Sequence, residues 1–180
     1  MTEFFDTHAH LDFPDFSDEL PEVIRRAADA GISRIVTIGT DLDSSQRAIE
    51  IANRFDSVFA AVGWHPNDCM DAPEDIRIQL ESLAKNSKVS AIGEIGIDHY
   101  RLPSSRGGSE TDDAIFKAKQ VRLFRQQLEV AAELGLNVVI HQRAAFETCL
   151  EVFEPFANHV RGVFHCFVDN PEAAKRVLDL

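Results

Sequence analysis

Along this chain, short apolar and β-branched runs alternate with longer segments whose apolar positions recur every three or four residues. The runs fall at 4–8, 34–40, 58–65, 89–97, 138–141 and 163–167. Such lengths are those of strands, and continuous rather than alternating apolarity marks a strand buried on both faces. Between the runs, 19–30, 44–55, 74–84, 114–134 and 145–156 carry helical periodicity, and a last helix opens at Pro171 with Asn170 placed to cap it. The pattern is strand then helix, repeated.

Two stretches, 27–36 and 131–140, echo each other closely: an alanine-rich helix end, a glycine (Gly31, Gly135), then a β-branched run. Each reads as a helix stopped by a left-handed glycine before a buried strand. Alternating βα units with short connections require a parallel sheet, either doubly wound or closed as a barrel. A doubly wound sheet serves its ligand from a few strands at one switch point. Here five of the strand-like runs end in candidate chemistry, which suits the C-terminal rim of a barrel. The expected fold class is therefore α/β, a parallel TIM-barrel type in one domain over 1–180. A full barrel of this type takes eight units and about 250 residues, whereas this chain supplies six units. The inner apolar positions of the first and sixth strands are then expected to face water. Their free edges would invite self-association. The polar stretch 101–113 reads as a loop over the active face, either a substrate flap or a mobile insertion.

The candidate chemistry begins with His8 and His10 at the end of the first run. On a strand they point the same way with Cα atoms about 6.6 Å apart, so both imidazoles can grip one divalent cation. His65, Glu94, His141 and His165 follow later runs by the same logic. A lone histidine is weak evidence, but equivalent strand ends converge in a barrel. A binuclear metal centre needs a carboxylate able to bridge two ions, and Glu94, between Gly93 and Ile95-Gly96, has that chemistry in an apolar setting where an uncompensated charge would be costly.

Composition narrows the classes. The net charge of -12 repels polyanions and counts against broad nucleic-acid binding, so any phosphate substrate needs local positive charge. Cys69, Cys149 and Cys166 have neither disulfide-framework nor zinc-finger spacing. No apolar stretch approaches a bilayer span and the acidic start lacks a basic leader, so the expectation is a cytoplasmic protein without membrane contact.

Asp6-Thr7-His8-Ala9-His10-Leu11-Asp12, Gly63-Trp64-His65-Pro66, Ile92-Gly93-Glu94-Ile95-Gly96-Ile97-Asp98, Val139-Ile140-His141-Gln142-Arg143 and Gly162-Val163-Phe164-His165-Cys166-Phe167 carry a resemblance, with Gln120, Phe124 and Gln127 between them. In order, these blocks resemble those of the TatD family of metal-dependent deoxyribonucleases. The resemblance implies a TIM-barrel hydrolase holding two divalent ions, Mg2+, Zn2+ or Mn2+. His8 and His10 would hold one ion, His141 and His165 the other, and Glu94 would bridge them and serve catalysis. His65 would contact the scissile phosphate or position the attacking water, and Arg143 would meet phosphate. One departure stands out: the family's eighth-strand aspartate has no counterpart here, and Asp98 belongs to the fourth-strand block. His99 and Tyr100 fall at the pocket rim, and His159, ahead of a strand, reads as structural.

The implied substrate is the end of single-stranded DNA or RNA, with no stable protein partner. D-aminoacyl-tRNA deacylation is an alternative within metal-assisted hydrolysis. An amidohydrolase shares the His-x-His start but bridges its metals with a modified lysine, where this chain has Glu94. A noncatalytic metal-binding fragment is the alternative of another class, and turnover by these 180 residues alone is expected to be weak or absent.

Overall fold

A computed structural model describes residues 3–180. Its strands are β1 (Phe4–Ala9), β2 (Ile32–Ile38), β3 (Val58–Val62), β4 (Val89–Asp98), β5 (Asn137–Arg143) and β6 (Gly162–His165). They form one sheet in sequence order, and every neighbouring pair is parallel. Unbroken order leaves no switch point, which separates this sheet from a doubly wound one. It is a half-barrel of six βα units, the fold class expected.

The helices are α1 (Leu20–Asp29), α2 (Leu42–Arg54), α3 (Arg77–Ala84), α4 (Glu110–Leu134), α5 (Phe146–Phe153) and α6 (Pro171–Leu178). Their apolar stripes pack on one face of the sheet, where Ile35, Val62, Ile92, Leu80, Phe124 and Leu128 share a continuous core. The other face carries a small cluster of Ile38, Ala61, Ala91 and Val139, the start of a barrel interior. At the two edges Phe5 and Val163, on the face of the small cluster, are 58% and 53% exposed, in line with the expectation for the first and sixth strands.

Two boundaries depart from the sequence pattern for local reasons. Helix α4 begins at Glu110, not 114, because Ser109 and Asp112 form a reciprocal capping box. The first turn is solvent-facing, so apolar periodicity does not reveal it. Most of the stretch expected as a loop is therefore ordered, with a 3-10 turn at Pro103–Arg106 ahead of the cap. Strand β3 stops at Val62, short of the expected 65. Beyond it the Trp64 backbone pairs with a side chain: its N–H donates to Gln127 Oε1 at 2.7 Å and its carbonyl accepts from Gln127 Nε2 at 3.0 Å.

Strand β4 runs through the middle of the sheet and is buried along nearly its whole length. Gly96 pairs with His141 of β5, and a Cβ at Gly96 would lie 2.0 Å from the His141 carbonyl oxygen, at a φ of +134°. Only glycine allows that approach. Gly135, at φ +65°, ends α4 with open space where its side chain would be. Gly96→Ala should cost about 2–6 kcal/mol, combining steric overlap with backbone strain. Gly135→Ala should cost about 1 kcal/mol, from backbone alone. Urea unfolding of both variants checks this, and equal midpoints would contradict the close approach at Gly96.

Candidate metal centre

The strand tips deliver their histidines to one place. His8 comes from β1, Glu94 from β4, His141 from β5 and His165 from β6, while His10 and His65 stand just past β1 and β3. All six line a cavity of about 500 Å³, together with Gln142, Arg143, Cys166 and Val168. The curl of the sheet brings its first and last strands together here, since the His8 and His165 rings stack with centroids 3.6 Å apart.

Glu94 is the hub. Its side chain is almost fully buried, with Oε1 2.9 Å from His141 Nδ1 and 3.8 Å from His65 Nε2, and Oε2 3.4 Å from His8 Nε2. Its two oxygens thus face two histidine groups. The donor atoms of His8, Glu94 and His165 lie within 4.8 Å of one another, as do those of His65, Glu94 and His141. This grouping differs from the expected pairing of His8 with His10 and of His141 with His165. The β1 pairing with β2 is irregular between Asp6 and Ala9, and His10 falls beyond the strand. There His10 Nδ1 donates to the Ile38 carbonyl at 3.1 Å, which leaves Nε2 of the neutral ring as a free lone pair.

The donor set fits divalent cations. Among the described residues, no lysine or arginine pairs with Glu94, whose charged neighbours are imidazoles alone. His8 Nδ1 is buried with no hydrogen-bond partner. A buried carboxylate compensated only by neutral or shared-proton rings is costly unless a cation joins them. Nitrogen and carboxylate donors suit zinc and manganese, and the carboxylate suits magnesium.

The electrostatics separate the histidines. Burial lowers His141, but hydrogen bonds to Asp98 and Glu94 outweigh it and hold the ring up to about 9. Burial pulls His65 down to about 4 despite Glu94, with His141 adding to the fall. His165 is also lowered by burial, with His8 contributing. Glu94 resists its own burial because His141 and His8 hydrogen-bond to it, and its carboxyl lies far below the usual range. His65 Nδ1 accepts the Asn67 N–H at 3.1 Å, so the neutral ring keeps its proton on Nε2 and presents a donor to the cavity.

One partner was missed in the sequence. Asp98 lies within 3.0 Å of His141 Nε2 and accepts from Asn67 Nδ2 at 3.3 Å. Strand periodicity could have found it, since residues 94 and 98 share a face when side chains alternate. Of the rim residues, Tyr100 is exposed and stacks with Arg143, whose guanidinium carbon is 3.8 Å from the ring centre. His99 has its Nε2 buried and unpartnered, and His159 does not reach the cavity lining.

Residues 5–180 match the family described as TatD related DNase. The chain belongs to the TatD family. It is 36% identical over 177 residues to the Bacillus subtilis protein named uncharacterized metal-dependent hydrolase YabD, covering 98% of this chain and 65% of that one. It is 31% identical over 175 residues to the 3'-5' ssDNA/RNA exonuclease TatD of Cronobacter sakazakii, covering 97% of this chain and 62% of that protein. The crystal structure of the TatD homologue YJJV from Escherichia coli superposes with a TM-score of 0.85 at 29% identity, over 98% of this chain and 64% of that one. This TatD-family chain thus spans just under two thirds of the length of these relatives. No helix among its described residues is long and apolar enough to cross a membrane.

The raised His141 sets a proton linkage. Below about 9 its ring is protonated, and a cation must displace that proton to use Nδ1. Zinc affinity should therefore climb about tenfold per pH unit between 6.5 and 8.5, for one proton released. Competition with a chromogenic chelator at three pH values measures it, and a flat profile would remove His141 from the ligand set.

Proposed function

We propose that this chain is a divalent-metal-dependent hydrolase of phosphodiester bonds, working on the ends of single-stranded DNA or RNA. The observation that carries the reading is Glu94, a buried carboxylate whose two oxygens face different histidine groups. His8, His10, Glu94, His141 and His165 would hold two ions, with Glu94 shared. The ions would supply Lewis-acid polarisation of a phosphoryl oxygen and a water acidified toward neutrality.

The chain's own residues do the rest. His65, neutral with its Nε2 proton facing the cavity, would donate to a phosphate oxygen. Arg143, its guanidinium carbon over the Tyr100 ring, offers a forked guanidinium at the rim. It is the single arginine or lysine among the cavity-lining residues, on a chain of net charge -12. A protein so acidic repels a long duplex laid over its surface, while a strand end entering the cavity would find its positive charge in the bound cations and Arg143. The exonuclease name borne by the Cronobacter relative supports the same substrate class.

The amidohydrolase alternative needs a lysine among the metals. Lys88, ahead of Val89, is committed elsewhere: its Nζ donates to the carbonyls of Phe55, Asp56 and Val58 at the opposite end of the strands. Lys85 pairs with Glu81 on α3. Neither approaches Glu94.

Glu94→Ala should release both ions, read as loss of about two metal equivalents by elemental analysis after dialysis. Retention of two equivalents would end the bridging role. Incubation of the wild-type chain with a single-stranded oligonucleotide and Mn2+ tests the reaction. Nucleotide release that a chelator stops and Glu94→Ala lacks supports hydrolysis. Tight metal binding with an intact oligonucleotide would favour the noncatalytic metal-binding role.

A further inference from the structure

Asp98 is ionisable, almost fully buried, and not among the residues grouped around Glu94. Its surroundings specify what it does. Oδ1 accepts the Tyr100 N–H at 2.8 Å, and Oδ2 accepts from Asn67 Nδ2 at 3.3 Å and lies 3.0 Å from His141 Nε2. The backbone of the same residue is clamped by the fully buried Gln120 of α4: the Asp98 N–H donates to Oε1 at 3.1 Å, and Nε2 donates to the Asp98 carbonyl at 3.0 Å. The same Nε2 also donates to the Pro66 carbonyl at 3.1 Å, next to His65. The Tyr100 N–H, the Asn67 amide and the His141 ring thus converge on the carboxylate, and Gln120, which holds the backbone of Asp98, also holds the segment carrying His65.

We propose that Asp98 is a positioning residue of the centre: it accepts a hydrogen bond from His141 Nε2–H and so keeps Nδ1 as the nitrogen of that ring turned toward Glu94 and available to a bound cation. The inference rests on the metal-dependent reading above. An ionised carboxylate only accepts, so the nitrogen it faces must carry a proton. In the free chain Nδ1 faces the Glu94 carboxylate and carries a proton as well; a bound cation would displace that one, because Asp98 keeps the proton on Nε2 and leaves Nδ1 as the lone pair. That atom lies 2.9 Å from Glu94 Oε1. Without Asp98 the ring is free to take the other tautomer or to rotate, and either change withdraws the lone pair from the ion. Partners of this kind typically govern metal affinity by about 10–100-fold. Asn67 and the Tyr100 N–H fix the carboxylate itself and Gln120 fixes the backbone that carries it, so the segment bearing His65 and the partner of His141 are held by one buried clamp.

The experiment combines a variant with a direct view of the ring. Asp98→Asn is isosteric but uncharged, and its amide can offer a donor to Nε2. It should bind Zn2+ about 10–100-fold more weakly than wild type in a chelator competition, with an unchanged circular dichroism spectrum. In the zinc-loaded wild-type chain, 15N-labelled histidine should show His141 protonated at Nε2 and bare at Nδ1, assigned by loss of its signals in His141→Gln. Wild-type zinc affinity in a folded Asp98→Asn, or an Nδ1 proton on His141 in the loaded wild type, would overturn the proposal. The ring spectrum decides the matter even if the variant does not fold. A wild-type chain that binds no zinc would overturn the metal-dependent reading and this proposal together; zinc bound with the other tautomer would overturn this proposal alone.

Discussion

The burial of the Glu94 carboxylate is the constraint around which this structure is arranged. A carboxylate in an apolar strand is costly unless positive charge or hydrogen-bond donors reach it. No lysine or arginine does so among the described residues, and the partners are rings from β1, β5 and the segment after β3. Those partners arrive from separate strands, so the charge is stable only when the sheet is assembled and curled. The fold and the candidate chemistry therefore depend on each other: loosening the sheet strands a buried charge, and removing the charge takes away what draws the histidines together.

Holding a strand tip to a fraction of an ångström takes more than a parallel ladder. At Gly96 the missing side chain lets β5 approach β4, and the close pair of carbonyl and Cα sets where His141 starts. Two fully buried glutamines on α4, Gln120 and Gln127, reach the ends of β4 and the irregular segment after β3 and satisfy backbone groups that no neighbouring strand can. They are seven residues apart, two turns of one helix face. A primary amide offers both a donor and an acceptor, which is what a frayed strand end requires. Leucine in either place would fill the space and leave peptide groups unpaired at a typical cost of about 1–3 kcal/mol each.

Much of this was legible in the chain itself, and the rest was hidden for identifiable reasons. The six apolar runs announced parallel strands because strands buried on both faces cannot alternate; the histidines were visible because they stand at or just past the ends of such runs, and Glu94 because it is a carboxylate inside one. Periodicity failed where burial does not govern the local structure. The opening turn of α4 is made by an exposed capping box, and the end of β3 by side-chain amides from a helix more than sixty residues later. The grouping of the histidines was out of reach for a different reason. Alternation along an ideal strand puts His8 and His10 on one face; with the irregular β1 ladder and the hydrogen bond from His10 to Ile38 their rings meet edge to face, centroids 5.1 Å apart, while the tight group around His8 is completed by Glu94 and His165. Asp98 stands in the same block as Glu94, and the same alternation places both on one face.

The histidines around Glu94 are not equivalent, and the difference follows from which second partner each ring has. His10 donates to a carbonyl and His65 accepts from an amide, so backbone groups alone assign opposite tautomers to two rings in one cavity. A ring whose free nitrogen is bare can bind a cation; a ring whose free nitrogen carries a proton can bind an anion. His10 belongs to the first kind and His65 to the second, while His141, between two carboxylates, is held protonated until a cation replaces one proton. The proposed phosphodiester substrate would need both kinds of partner, cations on its oxygens and a donor beside them, and a cavity of identical imidazoles would offer only one. The backbone of β2 and the turn after His65 thus shape the chemistry as directly as the side chains that face the cavity.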